Sequence, residues 1–248
     1  HQVTIDGQVL HYEVAGSGPH VLLLLPGAIG TGRGDFEHQL RGLDGEQFTM
    51  VAWDPPGYGQ SRPPEKDFND FYRTDAAMAA KLMKKLNHHR YSVLGWSDGG
   101  ITGMILTAGA GSSAVQKLII WGANAYVNEE DRAAMHRVRN PATDWSPAFR
   151  QACTAIYGEE YFRRLWDRLV AHYMRLDDIC KADLGAISCP VLILHGDLDP
   201  MISGEHPVHL VNNIGNATLY RFPKGKHNIH QRYAEEFNGL VADFLTGT

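Results

Sequence analysis

Three things are scarce in this chain, and each scarcity narrows what it can be. Cysteine occurs three times, at Cys153, Cys180 and Cys189. An odd count at irregular spacing argues against a disulfide framework or zinc ribbon and points to a reducing, intracellular compartment. Long hydrophobic runs are missing as well. The longest, Val21 to Leu25, is far too short to span a bilayer and reads as a buried strand, so no membrane partner is expected. Positive charge is not in excess. A net charge of −5 offers no basic field for nucleic acid. None of the 13 histidines falls in a HExxH or similar pattern, so neither a metal nor a cofactor is expected. No internal repeat or low-complexity stretch is present. The chain begins at His1, so an upstream segment is expected to have been removed.

What is there is ordinary for a globular chain: 248 residues, 44% hydrophobic and 21% charged. That size suits one domain, or one domain carrying an insertion. "VTIDGQVLHYEV" has two alternating runs around Asp6-Gly7, a hairpin signal. Short apolar runs then recur at 20–27, 48–57, 91–99, 117–124, 190–200 and 217–225. Most do not alternate, as expected of strands covered by helices on both faces. Helical patterns lie between them. "TDAAMAAKLMKKL" carries Met78, Leu82 and Leu86 on one face behind a Thr74/Asp75 cap. These features predict an α/β fold with a mostly parallel, eight-stranded sheet and helices on both faces. Residues 127–185 break the rhythm: no clear strand, and a long apolar stripe in "YFRRLWDRLVAHYM". They are expected to form a helical cap inserted into a core made of 1–126 and 186–248.

The chemistry centres on Gly95-Trp96-Ser97-Asp98-Gly99, a G-x-S-x-G motif that follows an apolar strand and precedes a helix. That setting places a nucleophilic serine on a sharp turn. A serine hydroxyl needs a base oriented by a third group, and in this topology the acid and the histidine come later in the chain. "LHGDLDP" offers Asp197 and Asp199; "FPKGKHNIH" offers His227 and His230. His195, inside a strand run, reads as a core histidine.

Together "LLPGAIG", "DPPGYGQS", "GWSDGG", "HGDLDP" and "GKHN" resemble the α/β-hydrolase family from end to end. The resemblance selects Asp199 through Gly-x-x-Asp, and His227 through its distance from Phe237. That leaves Asp197 and His230 as solvated loop residues. It implies a Ser97–His227–Asp199 triad and an oxyanion hole made by the backbone N–H groups of Asp98 and Ala28. Two positions depart from the usual motifs, Pro26 before Gly27 and Pro56 in the "DPPGYGQS" loop.

Asp98 raises a conflict. A carboxylate about 6 Å from a developing oxyanion, at an effective dielectric of about 20, repels it by about 3 kcal/mol. A cation near Asp98 would remove the conflict. The protein can supply one, from the helix N-terminus together with Arg163 or Arg164, or the substrate can bring a protonated amine. "GWSDGG", "IIWGANAYV" and "GKHNIHQRYAEEFN" resemble the branch of the family that hydrolyses α-amino-acid esters. That branch implies amine binding by Asp98, a small-molecule ester as partner, a monomer, and a mitochondrial address. Asn124, Tyr126 and Met201 are candidate pocket-wall residues. The alternatives are carbon–carbon bond hydrolysis of ring-cleavage products, an aminopeptidase, and a non-catalytic binding scaffold. Dehalogenase and epoxide-hydrolase chemistry is disfavoured, because it needs an aspartate where Ser97 stands.

Overall fold

A computed structural model of the protein describes residues 1–109 and 111–247. The chain opens with β1 (Gln2–Ile5) and β2 (Gln8–Ala15), joined at Asp6 and Gly7, which both adopt positive φ as a tight hairpin requires. Then follow β3 (His20–Leu25), α1 (Gly32–Gly42), β4 (Phe48–Trp53), α2 (Phe71–Lys85), β5 (Tyr91–Trp96), α3 (Asp98–Ala108) and β6 (Val115–Trp121). Four helices come next: α4 (Glu129–Arg137), α5 (Pro141–Asp144), α6 (Pro147–Tyr157) and α7 (Glu159–Tyr173), with a 3-10 turn at Lys181–Ala186. The chain closes with β7 (Val191–Gly196), α8 (Glu205–Asn213), β8 (Ala217–Phe222), α9 (Ile229–Arg232) and α10 (Ala234–Thr246).

The eight strands form one sheet in the order β1-β2-β4-β3-β5-β6-β7-β8. β1–β2 and β2–β4 pair antiparallel, and every later pair is parallel. Successive strand residues alternate between two cores. Leu23, Leu25, Val93, Leu118, Ile120, Val191 and Ile193 pack on the face covered by α2 and α3. Leu22, Leu24, Leu94, Ile119, Leu192 and Leu194 pack on the other face with Phe36 of α1 and Phe237 of α10. The inner strands β3–β7, buried on both faces over most of their length, carry largely apolar runs, which is why they are legible in sequence.

Between β6 and β7 the helical segment leaves and returns at one place. Val127 N–H donates to Asp177 O at 2.8 Å, and the N–H groups of Ile179 and Cys180 both donate to Ala125 O. The inner side of α7 buries Phe162, Leu165, Trp166, Leu169, Val170 and Tyr173, at about 1.5–3 kcal/mol for each large apolar side chain. No helix among the described residues is long and apolar enough to cross a membrane.

One boundary differs from the sequence reading. α2 begins at Phe71, with Asp70 as its N-cap, so Thr74 and Asp75 cap nothing. Asp75 instead turns into the protein and pairs with Lys66.

Candidate active site

β3 and β5 lie side by side, with β4 beyond one and β6 beyond the other. The chain order reverses there, and ligand sites in open α/β sheets form at the carboxyl ends of strands around such a point. The loops after β3, β5, β7 and β8 carry Gly27–Ala28, Ser97, Asp199 and His227 respectively. Four segments distant in sequence therefore meet at one edge.

Ser97 sits between β5 and α3 with φ 55° and ψ −121°, a left-handed conformation that costs a non-glycine residue of order 1–3 kcal/mol. Its tight turn is possible because Gly95 and Gly99 flank it. A Cβ on Gly99 would lie 2.0 Å from Leu25 O and 2.5 Å from Pro26 O, and neither backbone atom can yield. Gly99→Ala is expected to destabilise the fold by about 3 kcal/mol, because α3 would have to move off β3. Urea denaturation reads this; an unchanged midpoint would contradict it.

The three polar side chains are connected. His227 Nε2 is 3.1 Å from Ser97 Oγ, and His227 Nδ1 is 2.8 Å from Asp199 Oδ2. Asp199 Oδ1 accepts the N–H groups of Met201 and Ile202 at 2.8 and 3.1 Å. Burial pushes the Asp199 carboxyl up, but His227 and the two amides outweigh it and hold the group below the ordinary range. Trp96 Nε1 donates to His227 O at 3.0 Å and fixes the histidine loop. Gly122 has φ +55°, and a Cβ there would come within 2.9 Å of the His227 ring. Sequence reasoning missed Gly122; a glycine directly after a strand that faces the histidine loop was the available signal.

The loop after β3 lies against the serine. A Cβ on Gly27 would be 3.4 Å from Ser97 Cβ. Gly27 N–H donates to the half-buried Asp35 carboxylate at 2.9 Å, and the Tyr157 hydroxyl of α6 donates to Ile29 O at 2.8 Å. With proline at position 26, these two anchors hold the loop. Burial pushes Asp35 up to about 7, against the Gly27 hydrogen bond that favours its charged form. Among the described residues, the N–H groups of Ala28 and Asp98 have no acceptor within the protein. Both remain available to a negatively charged oxygen next to Ser97.

These groups open into a cavity of about 300 Å³. Its wall includes Asn124 and Met201, as the sequence suggests, but not Tyr126. The Tyr126 side chain instead bonds Glu205 and packs edge-on against His206 and His209, because the chain turns at the Tyr126–Asp178 bridge. Asn124 Nδ2 donates to Tyr126 O at 2.6 Å and the Tyr173 hydroxyl at 3.2 Å, so it braces the wall. Most of the apolar wall comes from the helical segment: Met135, Val138, Trp145, Phe149, Trp166 and Leu169. The indole N–H groups of Trp145 and Trp166 both donate to Val138 O, at 2.9 and 3.1 Å, which pins the two rings together.

Two other expectations are corrected. His230 is fully buried rather than solvated: it accepts from Trp121 Nε1 at 2.9 Å, its Nε2 faces Asp35 O at 3.0 Å, and burial pushes it down to about 3. Arg163 and Arg164 cannot serve Asp98. Both are exposed, neither lines the cavity, and Arg164 pairs with Glu65 and Glu160. Asp197 is exposed and pairs with Arg221, and His195 is buried within β7. No group of three or more His, Cys, Asp or Glu among the described residues is placed to hold a metal ion.

Fold and site together define an α/β enzyme of the serine hydrolase class. The chain belongs to the alpha/beta hydrolase family, whose family model matches residues 22–240. It is 44% identical over 98% of its length to "Serine hydrolase BPHL" of Mus musculus, covering 85% of that protein, and equally to that of Homo sapiens. Among solved structures, an esterase (EaEST) from Exiguobacterium antarcticum superposes with a TM-score of 0.80 at 22% identity, covering 98% of this chain and 97% of that one. The chain is accordingly a serine hydrolase acting on small-molecule substrates.

Proposed function

We propose that the enzyme hydrolyses esters of α-amino acids whose ammonium group is free, through an acyl-enzyme on Ser97. His227 takes the Ser97 proton and returns it to the leaving alcohol. Asp199 holds the histidine tautomer and stabilises its cation. The N–H groups of Ala28 and Asp98 bind the oxyanion, each worth about 3–4 kcal/mol of transition-state stabilisation. The helices between β6 and β7 act as a cap whose aromatic wall accepts the apolar parts of the substrate.

The observation that carries this reading is the charge of the cavity. Among the described residues, its wall contains Asp98, Asp131 and Asp144 but no Lys or Arg. Asp131 is occupied by His206 and backbone amides, and Asp144 by Asn140 and Thr143. Asp98 has one hydrogen bond, from the Tyr72 hydroxyl to Oδ1 at 2.9 Å, and Oδ2 has none among the described residues. Such a buried acceptor next to the nucleophile suits an α-ammonium group, which would also offset the repulsion of the oxyanion. The segments around Ser97, Asn124 and His227 resemble valacyclovir hydrolase, which supports the same reading, as it does a mitochondrial, monomeric enzyme. An aminopeptidase would use the same contacts. The carbon–carbon hydrolase alternative is less well supported, because its anionic substrates would enter a cavity without a cation.

The test is a pair of substrates, a valine aryl ester and its N-acetyl analogue, offered to the wild-type enzyme. The free-amine ester is expected to show a kcat/KM at least about tenfold higher, equivalent to about 1.4 kcal/mol. Equal values, or turnover of a dienoate ring-cleavage product alone, would overturn the reading.

A further inference from the structure

Behind Asp98 lies a buried ion pair that the reaction does not use. Lys66 and Asp75 are 2% and 5% exposed, and Lys66 Nζ is 2.5 Å from Asp75 Oδ2. The ammonium lies over the Tyr58 and Phe71 rings at 4.7 and 4.9 Å. The "DPPGYGQS" loop wraps this lysine: Gly57 has φ +81°, and a Cβ there would lie 2.4 Å from the Lys66 backbone. Tyr72, one turn before Asp75 on α2, sits against Phe71 at 3.9 Å and donates to Asp98. Tyr58, Phe71, Asp75 and Asp98 line one small cavity of about 10 Å³.

A buried ion pair adds little to stability. Replacing one with apolar side chains of similar volume is often neutral or favourable. Its placement beside the proposed amine-binding acid gives it another use. Without a cation here, Asp75 and Asp98 would be two buried carboxylates around one cavity, and the pair would retain a proton. A protonated Asp98 cannot hold an ammonium group.

We propose that Lys66 is a positioning residue for amine recognition: it neutralises Asp75 and, with the Tyr72 hydroxyl, keeps Asp98 available as an anion. This rests on the amino-acid-ester reading. Groups facing Asp98 from the surrounding elements are Tyr72 and Asp75 of α2, Tyr58 and Lys66 of the preceding loops, Tyr173 of α7, and His227. Burial pushes Asp98 up to about 6; Tyr72, Lys66 and His227 pull it down, and Asp75 works against them. Tyr58, Tyr72 and Tyr173 are pushed well above the ordinary phenol value by burial and stay neutral. An acid whose midpoint is raised is anionic above that midpoint, so amine binding is lost as pH falls through about 6.

The experiment follows the ¹³C signal of aspartate-labelled full-length protein against pH, with Asp98 assigned by its loss in Asp98→Asn. KM for the valine aryl ester and its N-acetyl analogue is measured alongside. Lys66→Met is expected to raise the Asp98 midpoint by about one pH unit or more, and so to raise KM for the amine ester at pH 6 about fivefold while leaving the N-acetyl ester unchanged. Asp75→Asn should move the midpoint the opposite way, and the double variant should return it towards wild type. Opposite signs from two changes at one ion pair cannot come from simple loss of structure. If Lys66→Met does not fold, Asp75→Asn and the double variant still give the sign. An Asp98 midpoint unmoved by Lys66→Met, or moved the same way by both single changes, would overturn the proposal. The NMR midpoint needs no substrate, so a wild-type enzyme without amine preference would defeat the ester reading separately.

Discussion

Ser97→Ala is expected to leave the fold intact and lower kcat by roughly 10⁵–10⁶, the scale on which serine hydrolases depend on their nucleophile. In the proposed mechanism the hydroxyl is the attacking atom, and His227 Nε2 lies 3.1 Å from it. Ser146, another serine of the cavity wall, uses its hydroxyl to accept the Phe149 N–H at the start of α6. Alanine tolerates φ 55° about as poorly as serine, so the backbone strain is carried by both forms and stability should change by less than about 1 kcal/mol. The residual rate should come from the Ala28 and Asp98 amides and from binding alone. Burst kinetics and intact-mass labelling with an aryl phosphonate read the result. A variant that keeps a burst, or a wild type that takes no label on Ser97, would contradict the assignment.

How far the sequence reaches depends on how local each signal is. The strands are legible because burial on both faces leaves unbroken apolar runs such as Val21–Leu25, and their sharp ends mark the loops that carry chemistry. Ser97 stood out by its motif, chain order narrowed the acid to Asp197 or Asp199 and the base to His227 or His230, and only the family resemblance chose Asp199 and His227. Residues whose role depends on a distant neighbour were not. Asp75 looks like a helix cap because an acid before an apolar stripe normally is one. Only the path of the Lys66 loop shows that it faces inward. His230 looks like a polar loop residue, yet Trp96, Trp121 and Phe36 enclose it. Tyr126 looks like pocket wall because it follows the strand that ends beside the site, and one backbone bridge to Asp178 turns it away.

The cavity wall was the least legible part. Trp145 in the α5–α6 turn, Phe149 on α6 and Trp166 on α7 meet at positions set by tertiary packing rather than periodicity. In sequence, the inward aromatics of α7 cannot be divided into those that touch the core and those that touch substrate. Asp35 was invisible for a similar reason. It lies in the first turn of α1, where acids are ordinary, and its bond to Gly27 runs back from the helix to the loop that precedes it. The family resemblance pointed to the Ala28 N–H of the β3–α1 loop, but not to the side chain that anchors that loop.

The most direct measurement is KM for the valine aryl ester and its N-acetyl analogue with Asp98→Asn beside wild type. The substitution keeps the backbone N–H proposed for the oxyanion hole and keeps an oxygen to accept from Tyr72, so only the charge is removed. Losing one partner of a desolvated charge pair costs about 2–5 kcal/mol. The account therefore predicts a rise in KM of roughly 30-fold or more for the free-amine ester and less than about twofold for the acetylated one. Equal changes for both substrates, or none for either, would show that Asp98 does not hold the substrate's ammonium group.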